Sequence, residues 1–446
     1  MRRLCKATLR GDSSAPGVPP AAYNDAVRWG VFLLFGVGLL LATSAARAQR
    51  GGMFLGSLED PAIAYTKGPL ANAVADLNAR LADGSVQLTF DGRSGYLQSA
   101  LDALRIPIDS QMLVFSPNSL QAKRINQNNP RALFFNDNVA VGWVRGASLL
   151  EVAVQDRSQG GVSYAVPQKA SGAPRLERDN TCLACHLSWE TLGVPGFMTT
   201  SMYPLPDDPN AYANGFTTVQ GSPLDQRWGG WWVTGDHGGV KHMGNIPVMP
   251  VDKKLARPNP RGMLASVEGI FDVKGYPAKT SDVVALLVLN HQTQMMNHLT
   301  RLGWEARLAA ATPTADARAR VTEAAADVVA YMLFLYEAPL IGPVKGNSGY
   351  AEWFAGQGPR DGKGRSLREF DLTRRLFKYP CSYLIYSEAF DGLPPTAKAA
   401  VYARLWDVLS GKAAAGRGQR TMPAAERQAI IEILRETKRD LPASFR

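Results

Sequence analysis

Two cysteines and a histidine lie close together near the middle of the chain, in the order Cys182-Leu183-Ala184-Cys185-His186. This is the Cys-x-x-Cys-His pattern of covalent haem attachment, whose spacing places two thiols over the two haem vinyl groups. The adjacent histidine can reach the iron as its proximal ligand. The pattern therefore predicts one covalent haem c, attached at Cys182 and Cys185, with His186 bound to the iron.

The ligand on the other side of the iron is to be sought among the His and Met side chains. Residues 236–245 are loop-rich and hold two histidines and a methionine, and Met249 follows shortly after. We rank His242 first as the second iron ligand, then Met249, then His237, although a lone histidine is more often a hydrogen-bonding residue than a ligand. His291, on a predicted helix, is a further candidate for the distal residue.

The N-terminus has the features of an export signal. Basic residues, of which Arg28 is the last, precede 18 uncharged residues at positions 29–46, and Ala46-Arg47-Ala48 follows. A basic flank, a short apolar core and an A-x-A site predict a signal peptide over residues 1–48 that is removed before Gln49. The alternative is an uncleaved membrane anchor, because about 17 to 25 apolar residues span a bilayer. We expect a periplasmic protein, and covalent haem attachment is made after export.

Composition narrows the classes of function. The 446 residues are 46% hydrophobic and 20% charged, which is typical of a globular protein of two or three domains. Loss of residues 1–48, with six basic and two acidic side chains, would lower the formal charge from +10 to +6. The remaining basic residues are interspersed with acidic ones, so we expect no nucleic-acid partner, whereas an acidic redox partner remains open.

The cysteine count agrees with haem attachment. Cys5 leaves with the leader, and the three cysteines that remain are an odd number, which argues against a disulfide framework. Two other sites could use the motif. A thioredoxin-like pair would need a βαβ unit around Cys182, which the sequence lacks. A structural zinc site would add His237 and His242, at a distance from the cysteines much longer than in common zinc fingers.

The pattern of apolar residues changes twice along the chain. Short β-rich runs separated by turn residues occupy residues 85–167, beginning with residues 86–90. Gly, Pro and aromatic residues dominate residues 170–278, a loop-rich length that a haem would order. After Tyr276 the periodicity becomes helical, with Ser281 as a predicted N-cap. Helices are predicted at 282–302, 314–337, 396–410 and 424–438.

The predicted fold class is therefore α+β. It comprises a β-rich N-terminal domain over residues 49–170, a loop-rich, cytochrome-c-like haem-binding region over residues 171–278, and a mostly helical C-terminal domain over residues 279–446.

Several other residues could contribute to the site or to the core. On the helix at 282–302, His291 and His298 share a face but lie about 10 Å apart along the axis, which is too far to bind one iron. One of them would therefore face the haem, or both are buried polar groups with hydrogen-bond partners.

Arg227 and Arg261 could pair with haem propionates. Cys381 is a redox-active thiol or, as we favour, a buried small hydrophobe. The tryptophans could form a haem wall, a binding platform or, by default, core: Trp228, Trp231 and Trp232.

Three stretches, at residues 182–195, 227–245 and 377–387, resemble a group of exported bacterial cytochrome-c-like proteins with a single haem c domain. The resemblance implies haem binding and electron transfer, with no established substrate. It transfers roles only onto Cys182, Cys185 and His186.

Two functions follow from these observations. The first is electron transfer by a periplasmic cytochrome c, whose additional mass, well beyond the roughly 100 residues that wrap one haem, would dock a partner protein. The alternative is a haem-dependent oxidoreductase, peroxidase-like or a small-molecule dehydrogenase, with an open distal site. The expected partner is accordingly a redox protein or a small-molecule substrate, and a membrane enters only if the N-terminal segment is not cleaved. A haem sensor would need a bistable element that a sequence cannot reveal.

Overall fold

The structure is a computed structural model that describes residues 52–170, 174–202, 215–251, 255–258, 260–413, 416 and 418–445. For residues 248–251 and 255–258 it describes the backbone alone. The predicted signal peptide, residues 1–48, lies outside the described residues, as does the side chain of Met249. None of the described helices is both long enough and apolar enough to span a membrane.

The strands of the described chain are short, and most follow one another closely. They are β1 (Met112–Val114), β2 (Arg131–Phe135), β3 (Val139–Trp143), β4 (Leu149–Asp156), β5 (Gly160–Pro167), β6 (Glu177–Arg178), β7 (Thr200–Ser201), β8 (Phe216–Thr217), β9 (Trp231–Trp232), β10 (Val248–Val251) and β11 (Leu255–Pro258). Seven of them form one antiparallel sheet in the order β6-β5-β4-β3-β2-β1-β9, while β7–β8 and β10–β11 are separate pairs.

The sheet has two unlike faces because side chains alternate along each strand. On β4, Leu150, Val152 and Val154 are buried, whereas Glu151 and Ala153 between them are half-buried. The buried face forms the sheet core with helices α1 (Ala73–Ala82) and α2 (Leu97–Ala103) and with Trp304. The other face is covered by helices at its β1 end, where Met112, Val114 and Phe135 join a second, helical core.

The remaining helices follow the motif region and build most of the helical core. They are α3 (Leu183–His186), α4 (Val283–Ala311), α5 (Ala315–Met332), α6 (Tyr350–Gly356), α7 (Glu388–Asp391), α8 (Pro395–Leu409) and α9 (Ala424–Thr437). The prediction of four helices in the C-terminal part corresponds to α4, α5, α8 and α9.

Helix α4 is the central element of the helical core. It has 29 residues and is buried on nearly every side as far as Leu302, as is typical of a helix that other elements surround. Its N-cap is Asp282, whose carboxylate accepts hydrogen bonds from the backbone N–H groups of Val284 and Ala285. The predicted cap, Ser281, is not the N-cap. Its hydroxyl instead donates to the carbonyl of Trp232 on strand β9.

The fold class is α+β, as predicted, with an antiparallel sheet and several helices. One expected strand is absent from the described chain: residues 86–90 are irregular, and the backbone N–H of Thr89 bonds to the Ser99 hydroxyl instead of a neighbouring strand. Gln49–Arg446 forms one compact unit. Strand β9, from the predicted haem-binding region, pairs with β1 of the β-rich region and so joins two of the predicted domains in one sheet.

Candidate haem-attachment site

The motif folds as a tight turn that continues into α3. Asp179 caps a 3-10 turn over Asn180–Cys182, since its carboxylate accepts a hydrogen bond of 2.9 Å from the backbone N–H of Thr181. Cys182 is half-buried and Cys185 is exposed, and neither forms a disulfide. Residues three apart on a helix are neighbours, so both thiols lie on one side of the turn.

His186 is fixed by two hydrogen bonds to one glycine. Its Nδ1 lies 2.9 Å from the carbonyl oxygen of Gly196, and its own carbonyl accepts a bond of 3.0 Å from the Gly196 N–H. A carbonyl oxygen only accepts, so Nδ1 carries the proton and the lone pair remains on Nε2. Burial lowers the pKa of His186, which favours this neutral form.

The loop that carries Gly196 is held from both sides. The Thr191 hydroxyl donates to the carbonyl of Val194 at 2.7 Å. On α4, the amide of Asn297 accepts from the Phe197 N–H at 2.9 Å and donates to the Phe197 carbonyl at 2.7 Å. Any Cβ atom at Gly196 would overlap the Asn297 amide oxygen, so only glycine fits there. The position of the imidazole is therefore set by α4 as well as by the motif.

These residues fit a covalent haem. Two free thiols lie beside a neutral imidazole, and no group of the described chain hydrogen-bonds its Nε2. A metal-binding histidine usually donates its other ring N–H to a carbonyl or carboxylate, and the Gly196 carbonyl accepts such a bond from His186. The same residues do not support structural zinc, because the described part of the chain brings together no three His, Cys, Asp or Glu side chains able to hold a metal ion.

His242, ranked first as the second iron ligand, packs against other aromatic rings. Its ring centre lies 4.7 Å from that of His237 and 5.3 Å from that of Trp228, in edge-to-face arrangements. Burial and the neighbouring His237 lower the pKa of His242 to about 4. Within the described residues, both ring nitrogens of His237 and Nδ1 of His242 are buried without a hydrogen-bond partner.

The described contacts do not bring His242 to His186. Trp228, which packs on His242, donates to Asn290 of α4 at 3.0 Å, whereas the loop that holds His186 is bound by Asn297. Seven residues of helix correspond to about 10 Å along the axis. The residues next to the two histidines thus contact α4 at different levels, and His242 as an iron ligand stays a prediction, as do His237 and Met249.

His291 has partners for both ring nitrogens. Nδ1 lies 2.6 Å from the amide oxygen of Gln220, and Nε2 lies 2.7 Å from the hydroxyl of Ser382, which can donate to it. This is the buried, hydrogen-bonded arrangement that was the alternative to a distal role. His298 is also buried and packs on the Tyr331 ring, but neither of its nitrogens has a partner among the described residues.

The remaining candidates have structural surroundings. Arg227 is buried, and its guanidinium donates to the carbonyl groups of Gln220 and Ser222. Arg261 is exposed. Cys381 is fully buried, which raises the pKa of its thiol to about 12, in agreement with an unreactive core residue. The three tryptophans at 228, 231 and 232 are buried in the two cores.

Sequence reasoning did not predict the contacts that support the motif. Gly196 belongs to the Gly193-Val194-Pro195-Gly196 turn, whose composition is a visible signal for a tight loop beside the motif. Asn297 gave no such signal for its partner, because its contact with Phe197 spans 100 positions.

Comparisons of the chain with protein-family models, with curated proteins and with solved structures found no match. The resemblance to exported cytochrome-c-like proteins therefore stays a prediction from the motif and its neighbouring stretches.

Proposed function

We propose that the protein is a periplasmic c-type cytochrome that binds one haem covalently and transfers electrons to or from a redox partner. The observation that carries the proposal is the hydrogen bond between His186 Nδ1 and the Gly196 carbonyl. It leaves the lone pair of Nε2 available to an iron, beside two thiols that form no disulfide. When bound, the haem supplies an iron centre that exchanges one electron at a time.

The chain would contribute attachment, orientation and ligation. Cys182 and Cys185 hold the group covalently, and His186 donates to the iron from a ring whose orientation is fixed. The Gly196 carbonyl strengthens that donation, because accepting the Nδ1 proton's hydrogen bond raises the basicity of the imidazole. Exposure of Cys185 supports transfer to another protein, since a group bonded to that thiol lies near the surface.

A second function, that of a haem-dependent oxidoreductase with an open distal site, is favoured by a different observation. In the described part of the chain, His291 has hydrogen-bond partners for both nitrogens, and His242 packs on the rings of Trp228 and His237. An iron without a strong second protein ligand would bind small molecules.

The test uses the exported protein from cells with a haem-attachment system. We expect a haem stain on a denaturing gel that is retained in Cys381→Ala, the matched control, and is lost when Cys182 and Cys185 are both replaced by alanine. Absence of stain in the native protein contradicts the proposal. A low-spin spectrum that carbon monoxide leaves unchanged supports the electron carrier, whereas carbon monoxide binding supports the oxidoreductase. Cell fractionation tests the periplasmic location.

A further inference from the structure

The half-buried face of the sheet lies beside the motif. Opposite the sheet core, the middle of β4 and of β5 presents small or polar side chains that are neither fully buried nor fully exposed. They include Glu151, Ala153, Ser163 and Ala165. Small side chains fill little of the space above a sheet, so this part of the face allows another group to approach the strands closely.

Strand β5 ties that face to both sides of the motif. Before the motif, the Asp179 N–H donates to the Ser163 carbonyl at 2.9 Å. After it, the Gly161 N–H donates to the Pro195 carbonyl at 2.8 Å, and a Cβ atom at Gly161 would lie 3.0 Å from Cα of Gly196. Gly196, which hydrogen-bonds His186, therefore packs directly on β5, one of the strands that form this half-buried face.

One ion pair crosses this face. Nη2 of Arg131, on β2, lies 2.6 Å from a carboxylate oxygen of Glu151, on β4, and their side chains are 20% and 18% exposed. The pair bridges β3 at Gly142, where a Cβ atom would lie 2.5 Å from that Nη2. Glycine at this position lets the guanidinium cross the strand.

The motif reaches the same face of the sheet as the ion pair. The Cys182 thiol hydrogen-bonds the Ser163 side chain on β5, and Ser163 pairs with Ala153 of β4, two residues from Glu151. Half-buried charges are less screened by salt than surface charges, so their influence extends to a group bound at the motif.

We propose that Arg131 and Glu151 face the haem bound at His186 and together set its midpoint potential. This inference rests on the proposed function. The oxidised iron carries one more positive charge than the reduced iron, so the Glu151 carboxylate stabilises the oxidised state and the Arg131 guanidinium the reduced state. The two charges would change the free energy of electron transfer, and neither residue takes part in attaching the haem.

The experiment is a redox titration of the haem-loaded protein, followed by its absorption spectrum. Glu151→Gln is expected to raise the midpoint potential and Arg131→Gln to lower it, while the double variant shifts less than either. The charge-conserving Arg131→Lys and Glu151→Asp should stay closer to the native potential. Glu268→Gln is the matched control, because Glu268 pairs with Lys279 at the same 2.6 Å but both side chains are more than half exposed.

Shifts of the same sign in the two single variants, or shifts no larger than that of the control, overturn the inference. The Glu151→Gln result alone decides the matter if Arg131→Gln does not fold, because glutamine keeps the shape of the carboxylate side chain. If the native protein carries haem but the midpoint potentials of the variants equal its own, only this inference is overturned. Native protein without haem overturns the proposed function as well.

Discussion

Replacing Asn297 by leucine tests whether α4 holds the loop beside the motif. The amide is fully buried and satisfies both the N–H and the carbonyl of Phe197, at 2.9 and 2.7 Å. Leucine has nearly the same volume but no polar atoms, so both backbone groups would lose their partner. Each buried polar group left unsatisfied costs about 1 to 3 kcal/mol, so the free energy of unfolding should fall by about 2 to 6 kcal/mol.

The assay is urea unfolding of the haem-loaded protein, followed by circular dichroism. The control is Gln428→Leu, which removes an amide with one exposed hydrogen bond to Glu432 and should change the unfolding free energy by no more than about 0.5 kcal/mol. A loss in Asn297→Leu below about 1 kcal/mol, similar to the control, refutes the reasoning that this amide fixes the loop.

Three further predictions concern buried groups. Burial raises the pKa of Glu337 from 4.5 to about 7, so the folded protein keeps a proton that the unfolded chain releases. Its unfolding free energy should therefore fall as pH rises across that interval, and Glu337→Gln should flatten the slope in urea unfolding; an unchanged slope contradicts the assignment. Burial lowers the pKa of His291 from 6.5 to about 3, so stability should fall as pH decreases below about 6.5, and less steeply in His291→Gln. In the haem-loaded protein without residues 1–48, Ellman's reagent should find no reactive thiol before unfolding and one, Cys381, after it; a native-state thiol that is lost in Cys381→Ala would show that Cys381 is accessible.

Local signals in the sequence predicted the elements and the motif. Alternation along β4 and helical periodicity from residue 283 depend on neighbouring residues, so they are visible without the fold. The cap of α4 was misplaced by one residue because Ser281 and Asp282 are both good N-caps. Their contacts with distant segments, the Trp232 carbonyl for Ser281 and the Asn347 N–H for Asp282, decide between them.

The support of the site could not be predicted because it depends on distant pairs. Gln220 and Ser382 both hydrogen-bond His291, from 71 and 91 positions away in the chain, and no residue near His291 in the sequence indicates these contacts. The ion pair of Arg131 and Glu151 requires the register of three strands, which alternation alone does not fix. Residue types and their spacing in the sequence could therefore identify the two thiols and the imidazole of the motif, but not the groups that orient them.

The contact between Phe197 and Asn297 also implies an order of assembly. The motif and its loop precede α4 in the chain, so during synthesis from the N-terminus they emerge about a hundred residues before the amide that binds the loop. Until then the loop beside the motif lacks one of its hydrogen-bond partners, so both thiols would be more accessible to an enzyme that attaches the proposed haem. Packing of α4 then fixes the loop beside the motif. If the helical core folds after haem attachment, it would hold the attached group in place.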